Sequence, residues 1–202
     1  MKLFYAAGSC ALGIRILLEE IGAPYDVAVL KLAEAQQRAP EYLALNPKGK
    51  VPALIRPDGR ILTEYPVISL WLAQNFPEAR LLPEAADDLW AAMELVEYVV
   101  SSLHMRGATL AMRPDKFLSD PAAQAALADE GRAVLRAGFA QLEAQLAGRD
   151  FFFDRFTIAD AAVFYLLNWK TRIGMELPPA LAAYHARLSE RPSILRALAP
   201  LS

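Results

Sequence analysis

The sequence predicts a small α/β layer followed by an all-helical part, and three observations carry that reading. Strand and helix signals alternate over the N-terminal third. A hairpin signature closes that stretch. After a proline-bearing segment the strand signals stop and only helical periodicity remains.

The elements follow in order. Lys2–Tyr5 reads as a short strand and Gly8-Ser9-Cys10 as the turn after it. A helix then carries Leu12, Arg15, Ile16, Glu19 and Glu20, and it stops at Gly22-Ala23-Pro24, a glycine followed by a residue that cannot continue a helix. Tyr25–Val29 alternates as a second strand, and a weaker helix is expected across Ala35–Leu45. Val51–Ile55 and Arg60–Thr63 flank Arg56-Pro57-Asp58-Gly59. Pro57 presets a turn φ and Gly59 sits at the turn exit, so the pair is expected to form a hairpin. Another helix is expected over Glu64–Asn75.

Phe76–Glu84 holds two prolines and little periodicity, and reads as the connection. Across Ala86–Met112, Leu89, Met93, Val96, Val100 and Leu103 recur at steps of four and three, an apolar stripe. Glu94, Glu97, Ser101 and His104 lie on another face. Further helices are expected over 121–146, 158–172, 179–190 and 193–198. The predicted division is an α/β thioredoxin-like domain over 1–77, a linker over 78–85 and an all-α helical bundle over 86–202.

Bulk properties exclude several classes. The chain has 202 residues and a formal net charge of -2. No basic block stands out, so neither nucleic acid nor an anionic membrane is expected as partner. Cys10 is the single cysteine, which rules out an internal disulfide framework. No apolar run approaches the roughly 20 residues of a membrane span, the N-terminus does not resemble a signal peptide, and a reducing cytoplasm is expected. No metal is expected.

Cys10 is the first candidate for chemistry. It stands between a strand and a helix start, where unpaired amides and the helix dipole favour an anion or a thiolate. The residues alone leave a buried, inert cysteine equally open. Gly13 occupies the position where a dithiol motif would need a second cysteine, so two-thiol exchange within the motif is unavailable. Val51-Pro52 follows the turn-rich Asn46-Pro47-Lys48-Gly49-Lys50. A cis bond there would leave the Val51 backbone free to pair with an extended peptide, whereas a trans edge proline would have no such role. Thr63-Glu64 at a helix start reads as a cap, or as a site for a ligand ammonium beside helix amides. His104 reads as a surface or interface residue, or as a cleft residue beside Cys10. Thr157-Ile158-Ala159-Asp160 matches a capping box and is assigned to folding.

Taken in order, Tyr5, Gly8-Ser9-Cys10-Ala11, Asn46 to Pro52, Leu62-Thr63-Glu64 and Phe156 to Ala161 resemble the glutathione S-transferase family over essentially the whole chain. Cysteine followed by alanine in the first turn resembles the bacterial beta class. The resemblance implies glutathione as co-substrate. Its sulfur would lie against Cys10, its cysteinyl backbone would pair with Val51 before a cis Pro52, and Glu64 with the N–H of Tyr65 would hold its γ-glutamyl end. Lys50, Ser101 and His104 join the implied glutathione site, with His104 near the thiol. Tyr165 and Trp169 would wall the second-substrate pocket, and a homodimer is implied. This chain has Tyr65-Pro66 where the family commonly has a small residue, and no lysine over 33–39.

The implied reaction is attack of the glutathione thiolate on a small hydrophobic electrophile. Lowering a thiol pKa by two units needs about 2.7 kcal/mol, within reach of a helix start and one donor. Cys10, Ser9, Tyr5 and His104 are the candidate donors. Thiol-transferase, peroxidase, isomerase or dehalogenase chemistry on the same site stays open, as does a non-catalytic ligand-binding or partner-binding role.

Overall fold

The structure, a computed structural model, describes residues 1–201. It comprises two compact units: Met1–Leu82 with the segment from Glu190 onward, and Pro83–Ser189.

The first unit holds β1 (Lys2–Tyr5), α1 (Ala11–Ile21), β2 (Asp26–Val29), α2 (Pro40–Leu45), β3 (Ala53–Ile55), β4 (Ile61–Thr63) and α3 (Tyr65–Asn75). The sheet order is β2-β1-β3-β4, with β2 parallel to β1, and β3 antiparallel to both β1 and β4. Alternation sorts the side chains by face. Phe4, Ala28 and Ala53 stand in register on one face, where Phe4 packs edge-on against Tyr42 of α2. Leu3 and Leu54 are fully buried on the other face. Helix α1 is buried from Ala11 to Leu18, including Arg15, and Gly22 closes it in the left-handed conformation. The expected hairpin forms, with Arg56 N–H donating to the Arg60 carbonyl and Gly59 N–H to the Arg56 carbonyl.

Three features differ from the sequence reading. The weak helix over 35–45 resolves into two 3-10 turns, Leu32–Glu34 and Gln36–Arg38, before α2. Ala35 sits between the turns at φ 55°, which no right-handed helix tolerates. Pro40 then opens α2, because its missing N–H costs nothing at a first helical position. Part of the expected linker is ordered as a turn over Pro77–Ala79, and Leu81 is buried. Finally, helix α10 (Pro192–Leu198), grouped by the sequence reading with the helical bundle, packs on α1 in the first unit. The buried Arg15 explains this. It donates to the Ala199 carbonyl (3.0 Å) and the Arg196 carbonyl (3.1 Å). Glu20 holds Arg191 and Ser193, and Glu19 holds Arg196.

The second unit is helical: α4 (Asp88–Glu97), a π-helix (Tyr98–Ala108), α5 (Thr109–Met112), α6 (Pro121–Leu146), α7 (Ile158–Leu167), α8 (Lys170–Ile173) and α9 (Pro179–Ser189). The buried face departs from the predicted stripe in α4 as well as in the π segment. Val96 and Leu103 are buried as expected, but Leu89, Met93 and Val100 are only partly so, and Ala92, Leu95, Val99, Gly107 and Ala111 complete the buried face. Wider i→i+5 turns rotate the later residues away from the 3.6-residue period. Helix α6 approaches this segment backbone to backbone, since a Cβ on Gly131 would lie 2.6 Å from the Gly107 carbonyl. The helix expected over 158–172 breaks after Leu167. The capping box forms as expected, and Asp160 accepts from Thr157 N–H (2.8 Å), Thr157 Oγ1, Phe152 N–H and Tyr184 Oη (2.8 Å). Among the described residues, no helix is long and apolar enough to cross a membrane.

Candidate functional site

The turn after β1 is built by Ser9. Its Oγ donates to the Ala6 carbonyl (2.7 Å) and accepts from Ala11 N–H (3.2 Å), while Leu12 N–H donates to the Ser9 carbonyl. Gly13 N–H in turn donates to the Cys10 carbonyl. The Ala11, Leu12 and Gly13 amides are therefore occupied inside the turn, and both roles of Ser9 Oγ go into building it.

Cys10 follows at the N-cap of α1, with 9% of its surface exposed. Its thiol donates to the Val51 carbonyl at 3.7 Å. Burial pushes its pKa up to about 12; its own backbone amide opposes the shift, Glu64 adds to it and Lys50 opposes it. Of the two readings left open at Cys10, burial favours the protonated thiol, because desolvation outweighs the helix dipole. Tyr5, another expected donor, lies with its ring against the Arg15 guanidinium, 5.6 Å from the ring centre. No hydrogen bond joins it to Cys10 among the described residues.

The loop that brings Val51 to Cys10 is organised by Asn46, which is buried. Its Nδ2 donates to the Lys50 carbonyl (2.9 Å) and its Oδ1 accepts from Lys48 N–H (3.2 Å). Tyr42 Oη donates to the same Lys50 carbonyl at 2.5 Å. Gly49 completes the turn at φ 59°, where a side chain would crowd the Gln37 carbonyl. Lys50 is thereby fixed through its backbone, and the Val51-Pro52 peptide is cis. Asn46 and Tyr42 escaped the sequence reading as site-building residues. The Asn-Pro pair was the available signal, since Asn side chains close turns on their own backbone.

Glu64 caps α3 at φ 70°, ψ 125°, a backbone region that costs a non-glycine residue about 1–3 kcal/mol. Its carboxylate meets Lys48 Nζ at 2.7 Å, and Lys48 also donates to Thr63 Oγ1. Lys48 is a site residue that sequence reasoning passed over. Tyr65 turns inward and is 3% exposed. It fills the space above Gly13, where a Cβ would lie 2.4 Å from Tyr65 Oη. Burial raises its hydroxyl pKa well above the usual value, with the neighbouring Cys10 adding to the shift. One unit therefore brings together Cys10, Lys50, Val51, Pro52, Glu64 and Tyr65.

In the second unit, Tyr165 Oη lies 3.4 Å from His104 Nδ1. The Trp169 ring stands edge-on to His104 at 4.8 Å. Tyr165 and Trp169, the expected wall of the second-substrate pocket, are 0% and 3% exposed and pack against His104. Ser101 parts from His104. Its Oγ donates to the Glu97 carbonyl, and it lines a groove of about 540 Å³ with Glu94, Glu97, Tyr98, Gln141 and Gln145. The π-turns separate two residues that a regular helix would present together. Among the described residues, no group of three or more His, Cys, Asp or Glu side chains could hold a metal ion.

Comparison with known proteins bears on the fold and the family. Residues 7–75 match the glutathione S-transferase N-terminal domain and residues 125–187 the C-terminal domain of that family. The chain is 34% identical to glutathione S-transferase GstA of Escherichia coli O157:H7, over 98% of this chain and 97% of that one. Two solved structures are similar throughout. The beta-class glutathione S-transferase of Sphingomonas chungbukensis has a TM-score of 0.85 and 30% identity, covering 98% of this chain and 97% of that one. A sphingomonad glutathione S-transferase complexed with glutathione has a TM-score of 0.83 and 32% identity, with the same coverage.

Proposed function

Because the chain belongs to the glutathione S-transferase family, we propose that it conjugates the glutathione thiolate to small hydrophobic electrophiles. The observation that carries the reading is the Cys10 thiol resting on the Val51 carbonyl at 3.7 Å. It supports a tripeptide lying along Val51 with its sulfur at Cys10. Being protonated at neutral pH, Cys10 turns its single S–H from the Val51 carbonyl to that sulfur when the tripeptide binds, and serves as a hydrogen-bond donor and not as the nucleophile. A hydrogen bond to a charged group contributes about 1.5–3 kcal/mol, enough to lower the ligand thiol pKa by one to two units.

Glu64 receives the γ-glutamyl ammonium, joined by Tyr65 N–H on the carboxylate. Pro66 supplies no second amide there. The ammonium has to share Glu64 with Lys48. That pair is half exposed and worth at most about 1 kcal/mol, so the exchange costs little. His104 enters the proposal on the family pattern alone, as a group that serves the glutathione thiol. A cytoplasmic homodimer belongs to the same proposal: a lone cysteine suits a reducing compartment, and family members pair. Exposed Trp90 and Val67 offer apolar surface to a partner.

Thermal unfolding with millimolar glutathione, followed by turnover of a chlorinated dinitrobenzene, tests the reading. Glutathione at 100 times its Kd is expected to add about 2.7 kcal/mol, or roughly 5–10 °C at this chain length. Neither shift nor turnover would overturn it in favour of a non-catalytic role. Disulfide reduction that disappears with Cys10→Ala, without conjugation, would replace it with thiol transfer.

A further inference from the structure

The aromatic cluster around His104 has a chemical consequence beyond packing. His104 sits in the π-helix, and its carbonyl accepts both the Thr109 N–H and Thr109 Oγ1 (3.1 Å), which pins the backbone at this turn. Two ring edges pin the side chain: Trp169 at 4.8 Å and Tyr165 at 5.8 Å, both at 78° to the imidazole. Tyr165 lies on α7, a helix buried along its length and anchored by the Thr157 capping box. The phenol is therefore a rigid reference point for a ring that emerges from an irregular helix.

We infer that Tyr165 is the positioning residue for His104, its O–H donating to Nδ1 so that the neutral imidazole carries its proton on Nε2. The direction follows from chemistry. A phenol is a stronger donor than a neutral imidazole N–H, and the unprotonated imidazole nitrogen is a stronger acceptor than a phenol oxygen. The hydrogen bond at one ring nitrogen sets what the other can do. With Nδ1 committed to Tyr165, His104 offers an Nε2–H donor, suited to holding a thiolate and unsuited to taking its proton as a base. The functional part of this inference rests on the proposed glutathione chemistry, whereas the tautomer does not.

The two can be separated experimentally. The chain has two histidines, so ring ¹⁵N–¹H correlations of the glutathione-free protein are assigned by comparison with His104→Gln. The expected spectrum shows His104 protonated at Nε2 and bare at Nδ1. Tyr165→Phe keeps the ring edge and removes the hydroxyl. It is expected to mix the tautomers and to lower kcat/KM for conjugation five- to tenfold. Tyr184→Phe, which loses a buried hydroxyl bonded to Asp160 at 2.8 Å, is expected to leave the His104 spectrum unchanged. A proton on Nδ1 in the native chain, or an unchanged spectrum in Tyr165→Phe, would overturn the inference. Absence of glutathione binding would overturn the proposed function and leave the tautomer assignment standing.

Discussion

Replacing Gly13 by alanine tests the packing beneath Cys10. The new Cβ would meet Tyr65 Oη at 2.4 Å, Cε2 at 2.8 Å and Cζ at 2.9 Å, well inside the optimum of about 3.5–4.0 Å for carbon contacts. Tyr65 is buried and has little room to retreat, so overpacking should cost about 1–3 kcal/mol. Alanine in a helix returns at most about 1 kcal/mol of that. The single variant is therefore expected to lose about 0–2 kcal/mol. In a Tyr65→Ala background the clash is gone, and Gly13→Ala should stabilise by about 1 kcal/mol. Urea unfolding of the four chains at one protein concentration gives the coupling energy, expected at about 1–3 kcal/mol. Equal stabilisation by Gly13→Ala in both backgrounds would refute the placement of Tyr65 against α1. Since Cys10 caps this helix, the displaced turn should also raise the KM for glutathione.

Three other outcomes are expected. A Cys10 held protonated to about pH 12 contributes stability below its unfolded pKa, near 9, and loses it as pH rises through the folded value. Alkaline unfolding monitored between pH 8 and 12 should therefore be shallower in Cys10→Ala, and iodoacetamide should modify the native thiol slowly at pH 8. Glu64→Gly should be more stable than Glu64→Ala by about 1 kcal/mol, because glycine relieves the φ of 70°, while both raise the KM for glutathione at least tenfold in steady-state assays. Asp160→Ala strands several buried donors and should cost more than about 3 kcal/mol, a fall in Tm above about 6 °C. Tyr184→Phe should cost about 1–2 kcal/mol by the same measurement.

Signals that act along the chain could be read directly. Gly22-Ala23-Pro24 ended α1, Pro57 and Gly59 turned the hairpin, and Thr157 with Asp160 capped α7, because each works through its own backbone within a few residues. The ordered residues from Tyr5 to Ala161 likewise sufficed for the family. Even the oddity of Tyr65 was visible as a large residue in a small residue's place, though not the direction it would turn.

The tertiary structure decided what depends on neighbours distant in sequence. Nothing local to Arg15 announced its burial beneath the Arg196 and Ala199 carbonyls. The regular stripe over 86–112 gave no hint of the π-turns that part Ser101 from His104, since no local residue pattern marks the switch to i→i+5 pairing. The protonation state of Cys10, left open by the sequence, was likewise decided by packing. A helix start stabilises an anion through a few partial charges, whereas burial removes the whole solvation of a thiolate, and solvent exclusion is a property of the packed unit that no local run of residues encodes.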